Sequence, residues 1–190
     1  MSRIILIVGH ARTATYCEAL GEAYATGARA GGHDVTLVNT ATLAFDPVLR
    51  GAYEERQPLE PDLETARDVL MAADHIVMIF PLWLGTMPAI LKGFLERILQ
   101  PDLFDAMKEG RFIAPLKGKS VRIIMIMGMP GFVYRWWFGA HALSVLKRNI
   151  QGFIGAGPIR STIHGSIESV SDNQRKSWLA QAEAMGRDAR

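Results

Sequence analysis

Apolar positions along this chain fall into short unbroken runs separated by stretches of helical period. Ile4 to Val8 is the first run, and a polar loop leads from it into a helical pattern from Thr15 to about Ala30. Tyr16, Leu20, Ala23 and Gly27 are expected on one face of that helix, with Glu18 and Glu22 near its positive end. Gly31-Gly32 stops it, and Val35 to Val38 reads as a second short strand. Asn39 to Pro61 has no period; Leu43, Phe45, Val48 and Leu49 are its expected anchors, and loops this long are usually functional or interfacial.

Asp62 to Ala73 returns to helical spacing through Leu63, Ala66, Leu70 and Ala73. Ile76 to Phe80 is solidly apolar, as a parallel strand covered on both faces should be. Thr86 is then placed as an N-cap, with Pro88 in the first turn and Leu91, Phe94, Leu95 and Ile98 inward. Val121 to Met127 is a fourth buried strand, and the alternation over Ile159 to His164 suits a half-exposed edge strand. Ser171 and Gln174 form a capping box opening a last helix that turns Trp178, Leu179, Ala182 and Met185 inward. Five strands interleaved with helices predict a doubly wound α/β fold, with any ligand beyond the carboxyl ends of the strands.

Length and composition add bounds. The 190 residues are expected to form one domain, with 49% apolar and 21% charged residues, ordinary globular usage. Twenty-one Lys and Arg against 19 Asp and Glu leave a net charge of +2, too even to argue for nucleic acid. One cysteine, Cys17, excludes a disulfide framework, and His10, His33, His75 and His164 show no metal-ligand spacing. The run Ile4 to Val8 is too short for a signal-peptide core. The longest uncharged stretch, Ile76 to Leu91, is below the ~20 residues of a membrane span, so a cytoplasmic protein with no membrane span is expected.

Three loops can carry chemistry. Gly9-His10-Ala11-Arg12-Thr13-Ala14-Thr15-Tyr16 is neither a P-loop nor a G-x-G-x-x-G turn. It is a hydroxyl-bearing turn at a helix N-terminus, fit for a phosphate; plain N-capping by Thr13 or Thr15 is the alternative. Phe80-Pro81-Leu82-Trp83-Leu84-Gly85-Thr86-Met87 is apolar where solvent or ligand is expected. A flat heteroaromatic ligand accounts for it, as does a Trp83 that fills the core or a subunit contact. Gly128-Met129-Pro130-Gly131 leads through Tyr134, Arg135, Trp136 and Trp137 to His141. Tyr134 and His141 can donate hydrogen bonds to a developing anion, while Trp136 and Trp137 suit packing or a dimer contact. Ser166 with His164 lacks the G-x-S-x-G context of a hydrolase.

Phe80-Pro81-Leu82, followed by Pro88-Ala89-Ile90-Leu91-Lys92-Gly93-Phe94, resembles the flavodoxin-like NAD(P)H:quinone oxidoreductases. That family includes the DT-diaphorase, modulator-of-drug-activity and potassium-efflux ancillary flavoprotein branches. His10 with Thr15-Tyr16, Phe45-Asp46-Pro47-Val48, and a tyrosine six residues after Gly128 add to the likeness, which spans Arg3 to His141. The resemblance implies a five-stranded parallel sheet of order 2-1-3-4-5 and an FMN, or an FAD. Its phosphate would lie at His10, Thr15, Tyr16 and Cys17, and its ring on Pro81, Leu82, Trp83, Leu84 and Gly85. Met127, Gly128, Met129 and Pro130 would close over the ring, and Tyr134 and His141 would steady negative charge on it. The implied activity is ping-pong, two-electron transfer from NAD(P)H through flavin N5 to a quinone or similar small acceptor, in a homodimer. A regulatory or electron-carrier flavoprotein without NAD(P)H turnover is the alternative.

Three features depart from the family pattern. Cys17 stands where an Asn is usual, and Ile126-Met127-Gly128-Met129 replaces Thr-Thr-Gly-Gly. His141 falls one position late. The first two changes make the implied pocket more apolar, favouring an apolar acceptor or weaker flavin binding. Cys17 reads as a small packing residue rather than a redox nucleophile.

Overall fold

A computed structural model describes residues 1–52, 54–100, 103, 114–149 and 154–189. Its centre is a parallel sheet of β1 (Arg3–Val8), β2 (Asp34–Asn39), β3 (His75–Pro81), β4 (Ser120–Ile126) and β5 (Ile159–His164). The strand order is β2-β1-β3-β4-β5, the flavodoxin-like arrangement expected. Within β1 the side chains alternate between two cores, Ile5 and Ile7 in one, Ile4, Leu6 and Val8 in the other. Both faces are therefore covered, and the strand reads as a continuous apolar run.

One face carries α1 (Tyr16–Ala30) and α6 (Asp172–Arg187); the other carries α2 (Pro61–Ala72), α3 (Ala89–Ile98), α4 (Gly131–Trp136) and α5 (His141–Asn149). Helices α1 and α6 approach backbone to backbone. A Cβ at Gly27 would land on Glu183 O, and one at Gly186 on Tyr24 O, so only glycine fits. That contact rotates the buried face of α1 from the expected one: Cys17, Leu20, Gly21, Tyr24, Ala25, Gly27 and Ala28 are buried, while Tyr16 and Ala23 lie at its margin.

The long segment between β2 and α2 is held by one cation. Arg97, fully buried on α3, donates to Glu60 Oε2 at 2.8 Å, to Pro58 O at 2.7 Å and to Asp46 O. Gln100 continues the clasp through Gln57, and a Cβ at Gly93 would strike Pro47 O. Leu43 and Phe45 pack on the core as expected. Val48 does not: it is exposed, because the segment is anchored by Arg97 and its carbonyl partners rather than by that side chain.

Thr86 is also corrected. It pairs with Trp83 in an antiparallel bridge, Trp83 N to Thr86 O at 2.8 Å and back at 2.9 Å. The helix begins after Pro88, with no side-chain cap. Ser171 does cap α6, accepting from Gln174 N at 3.2 Å. No helix among the described residues is long and apolar enough to cross a membrane.

Candidate functional site

The order of the sheet reverses between β1 and β3, and a crevice outside their carboxyl ends is where doubly wound sheets bind ligands. A cavity of about 600 Å³ opens there. Four loops meet in it: residues 10–12 and 14–17 after β1, Leu82 and Trp83 after Pro81 at the end of β3, Met127 and Gly128 after Ile126 at the end of β4, and Ile167 with Glu168 after β5.

The first loop ends in a helix N-terminus. Thr15 is the N-cap of α1, its hydroxyl accepting from Glu18 N at 3.3 Å and its carbonyl from Ala19 N. The amides of Tyr16 and Cys17, both lining the cavity, have no partner among the described residues. They form the positive end of α1, ready for an anion. Thr15 thus caps the helix while the donors beyond it remain free.

His10 is buried beside them. Its Nδ1 accepts from Arg12 N at 3.1 Å, which leaves Nε2 as the protonated nitrogen of the neutral ring. Burial pushes its pKa below the ordinary histidine value, the Arg12 amide bond pulling the other way. His10 is therefore a neutral hydrogen-bond donor near pH 7. Arg12 lines the same cavity and makes no ion pair among the described residues. Cys17 is fully buried in the α1 core, and burial pushes its thiol up to about 12. Such a thiol is inert, which agrees with a packing role.

The apolar walls come from β3 and β4. Leu82 N donates to Ile126 O at 2.8 Å, extending the β3–β4 pairing one residue into the loop and holding Pro81–Leu82 against Ile126–Met127. Trp83 is half-exposed over the cavity and meets His10 edge to face, ring centres 5.0 Å apart. It fills no core. Leu84 and Gly85, both at positive φ, form the two-residue turn between Trp83 and Thr86, and neither lines the cavity.

Gly128 lies on the far wall, where a Cβ would come within 3.7 Å of the Glu168 carboxylate. The next loop is pinned to this wall by Ile167 N to Met127 O at 3.1 Å and Ser166 N to Met129 O at 3.0 Å. Arg175 donates to Ile167 O, and Tyr16 Oη donates to Arg175 O at 2.8 Å, tying the starts of α6 and α1 together. Ile167 and Glu168 were not among the expected site residues. Their only signal is the Ser171 cap, which leaves the preceding residues at the carboxyl edge of the sheet.

Of the expected residues, the structure brings His10, Thr15, Tyr16, Cys17, Pro81, Leu82, Trp83, Met127 and Gly128 to one cavity. Leu84, Gly85, Met129 and Pro130 lie outside its lining. So do Tyr134 and His141. Tyr134 is buried, its hydroxyl accepting from Leu143 N at 3.3 Å, and burial raises its pKa. His141 is exposed at the start of α5, against Gly139. Trp136 and Trp137 are exposed, which excludes core packing for them. His164 stacks on Trp178 with rings 4.4 Å apart, and its buried Nε2 has no partner among the described residues, Ser166 included.

A doubly wound sheet of this order, with an anion cradle and apolar walls at its switch point, defines a flavodoxin-like site. The flavodoxin-like fold family matches residues 2–185, and the chain belongs to that family. Its relatives carry the class further. An uncharacterized NAD(P)H oxidoreductase of Haemophilus influenzae is 26% identical over 144 residues, 73% of this chain and 70% of that protein. Smu.1420 of Streptococcus mutans shares 27% identity and a TM-score of 0.77, covering 97% and 98% of the two chains. An NAD(P)H:quinone oxidoreductase from Methanothermobacter marburgensis superposes at a TM-score of 0.78 with 19% identity over 98% and 95%. An FMN-dependent NADH-azoreductase of Bacillus anthracis, solved with FMN, does so at 0.71 with 11% identity over 99% and 98%. Within the flavodoxin-like family the chain is thus similar to NAD(P)H oxidoreductases and shares its fold with an NAD(P)H:quinone oxidoreductase.

Proposed function

We propose that this protein binds FMN in the switch-point cavity and passes two electrons from NAD(P)H to a quinone or similar flat acceptor. The observation that carries the reading is the pairing, in one cavity of about 600 Å³, of unpartnered helix N-terminal amides with facing apolar walls. A mononucleotide has the same two halves, a phosphate and a planar ring, and the cavity falls in the size range of cofactor sites. The donor set suits a dianion: the amides of Tyr16 and Cys17, the neutral His10 Nε2–H and the Arg12 guanidinium. When bound, the flavin supplies hydride acceptance and two-electron delivery; the protein binds, orients and excludes water.

The residues divide that work. Leu82, Met127 and Gly128 form the walls between which a ring is held, and Trp83 stands at the open side beside His10. The missing side chain at Gly128 leaves room for close backbone approach. Tyr134 acts through position: its hydroxyl orders the start of α5 behind the third loop. His141, being exposed, reaches the site only as part of an acceptor-side rim. A homodimer and a cytoplasmic location belong to the same reading.

The cradle is tested by comparing FMN with riboflavin in a fluorescence titration. FMN is expected to bind at least about tenfold tighter, and the difference to shrink in Arg12→Ala. Equal affinity for both would remove the phosphate from the first loop. Turnover of a simple quinone with NADPH then separates the enzyme from a carrier or regulatory flavoprotein, which would hold flavin without turnover.

A further inference from the structure

Thr15-Tyr16-Cys17-Glu18 has the sequence of a capping box, in which the glutamate reaches back to the backbone N–H of the N-cap residue itself. The structure departs from that pattern by one residue. Thr15 Oγ1 accepts from Glu18 N as the motif requires, but Glu18 Oε2 accepts from Ala14 N, the residue before the cap. The Thr15 amide is left with no partner among the described residues, and Thr15 lines the cavity. An ordinary box would leave only the amides of Tyr16 and Cys17 free; here that of Thr15 joins them. The glutamate is held in this displaced position from outside the helix. Asn39, buried at the end of β2, donates from Nδ2 to Glu18 Oε1 at 3.0 Å. Its Oδ1 accepts from Ala41 N at 3.1 Å, which fixes the orientation of the amide. Both carboxylate oxygens are therefore occupied, and Glu18 is not part of the cavity lining. Ala14 takes φ of +55°, a left-handed conformation that an alanine keeps only where its surroundings impose it.

We propose that Glu18, oriented by Asn39, is a positioning residue for the anion cradle. By binding Ala14 N it holds that residue left-handed and leaves the Thr15 N–H as a third backbone donor to a phosphate. The inference rests on the reading of the cavity as a mononucleotide site and names a residue that shapes it without touching the ligand. A carboxylate this close to a helix N-terminal anion site opposes a second anion by its charge alone. Its presence is explained by the bonds it makes to the loop. The two effects have opposite signs, which makes them separable: removing the charge would tighten phosphate binding, and losing the positioning would weaken it. Asn39 completes the device, because without its Nδ2 the carboxylate is free to swing to the Thr15 amide and close an ordinary capping box.

Fluorescence titration with FMN and with riboflavin tests it, on the wild type, on Glu18→Ala, and on Glu18→Gln combined with Asn39→Asp. Glu18→Ala is expected to weaken FMN binding by at least about tenfold and riboflavin binding by less than about twofold. The paired substitution keeps the net charge and both bonds: the amide at position 18 accepts from Ala14 N and donates to the carboxylate at position 39. FMN affinity is expected to return to within about threefold of the wild type. Amide hydrogen exchange of the flavin-free protein reads the same contact without a ligand. The Ala14 amide should be protected in the wild type and the paired variant, and exchange at least about tenfold faster in Glu18→Ala. FMN binding that is unchanged or tighter in Glu18→Ala overturns the proposal, and so does an Ala14 amide indifferent to that substitution. Equal losses of FMN and riboflavin with a lowered thermal midpoint also overturn it, by assigning Glu18 to helix stability alone. A wild type that binds neither flavin overturns the functional reading instead, while the exchange result still decides whether Glu18 shapes the loop.

Discussion

Leu84 stands fully exposed at the tip of the Trp83–Thr86 turn with φ of +46°, and Gly85 follows at +80°. Two successive positive φ values make a type I′ turn, which favours Asn-Gly over a bulky apolar residue at the first position. The left-handed conformation costs a leucine about 1 kcal/mol. Leu84→Asn is therefore expected to raise the thermal midpoint by about 2–4 °C, read in a melt of the flavin-free protein. A lowered midpoint would mean that Leu84 is packed. Cys17 gives a second check at this scale. With its thiol pushed up to about 12 by burial, iodoacetamide at pH 8 should label it only in denaturant; rapid native labelling would contradict its burial. The residue scale is also where the sequence was least legible. Thr86 has the identity of an N-cap, but a Leu-Gly turn that bridges it to Trp83 leaves no local signal. Glu168 lies in a loop without period, and only the folded chain brings it beside Gly128.

At the scale of elements, two buried histidines set the response to acid. His75 on β3 bonds to Tyr24 Oη at 3.0 Å and to Ser120 Oγ at 2.7 Å; burial, with Arg122 nearby, lowers its pKa to about 4. His164 ends β5 against Trp178, and burial lowers it to about 4 as well. Both rings take protons near pH 6.5 once unfolded. Between pH 6.5 and 4 the unfolded chain therefore binds more protons, so stability is complete above 6.5 and falls as the pH drops, by roughly 3 kcal/mol for each ring. A midpoint that falls through this window, with a shallower slope in His164→Phe, is the expected result; a flat profile would contradict it. Arg97 gives the second element-scale prediction. Burial pushes the Glu60 carboxyl up, but the Arg97 bond and the Asp46 amide outweigh it and leave its pKa lowered. Arg97→Met strands Glu60 and two carbonyls, costing about 3 kcal/mol and opening the preceding segment to trypsin at Arg50 or Arg56. Unchanged trypsin resistance would show that the clasp does not hold it.

At the scale of the whole molecule, the sheet was largely legible because each strand interior is buried on both sides and must be written in unbroken apolar runs. Ile4 to Val8 and Ile76 to Phe80 leave no other reading. The helices were legible in position but not in facing. Tyr16 and Ala23 were expected inward on α1, yet Gly27 and Gly186 let α6 press directly on the backbone and turn Tyr24 and Ala28 into the core. That contact joins residues more than 150 positions apart, and periodicity within one helix carries no trace of it. The first-loop cradle followed from local capping chemistry, while the walls followed from the resemblance at Phe80-Pro81-Leu82. The site is thus a product of topology: four loops from one sheet edge converge because the strand order reverses between β1 and β3.

The central claim, a flavin in that convergence acting between NAD(P)H and an acceptor, is tested most directly by one anaerobic spectrum. The purified protein is loaded with FMN, mixed with NADPH, and then given a simple quinone. The account predicts visible flavin bands shifted from those of free FMN, bleaching with NADPH, and return of the bands as the quinone is reduced. Bands that match free FMN and are lost on gel filtration, or bound bands that neither NADPH nor NADH bleaches, would contradict it.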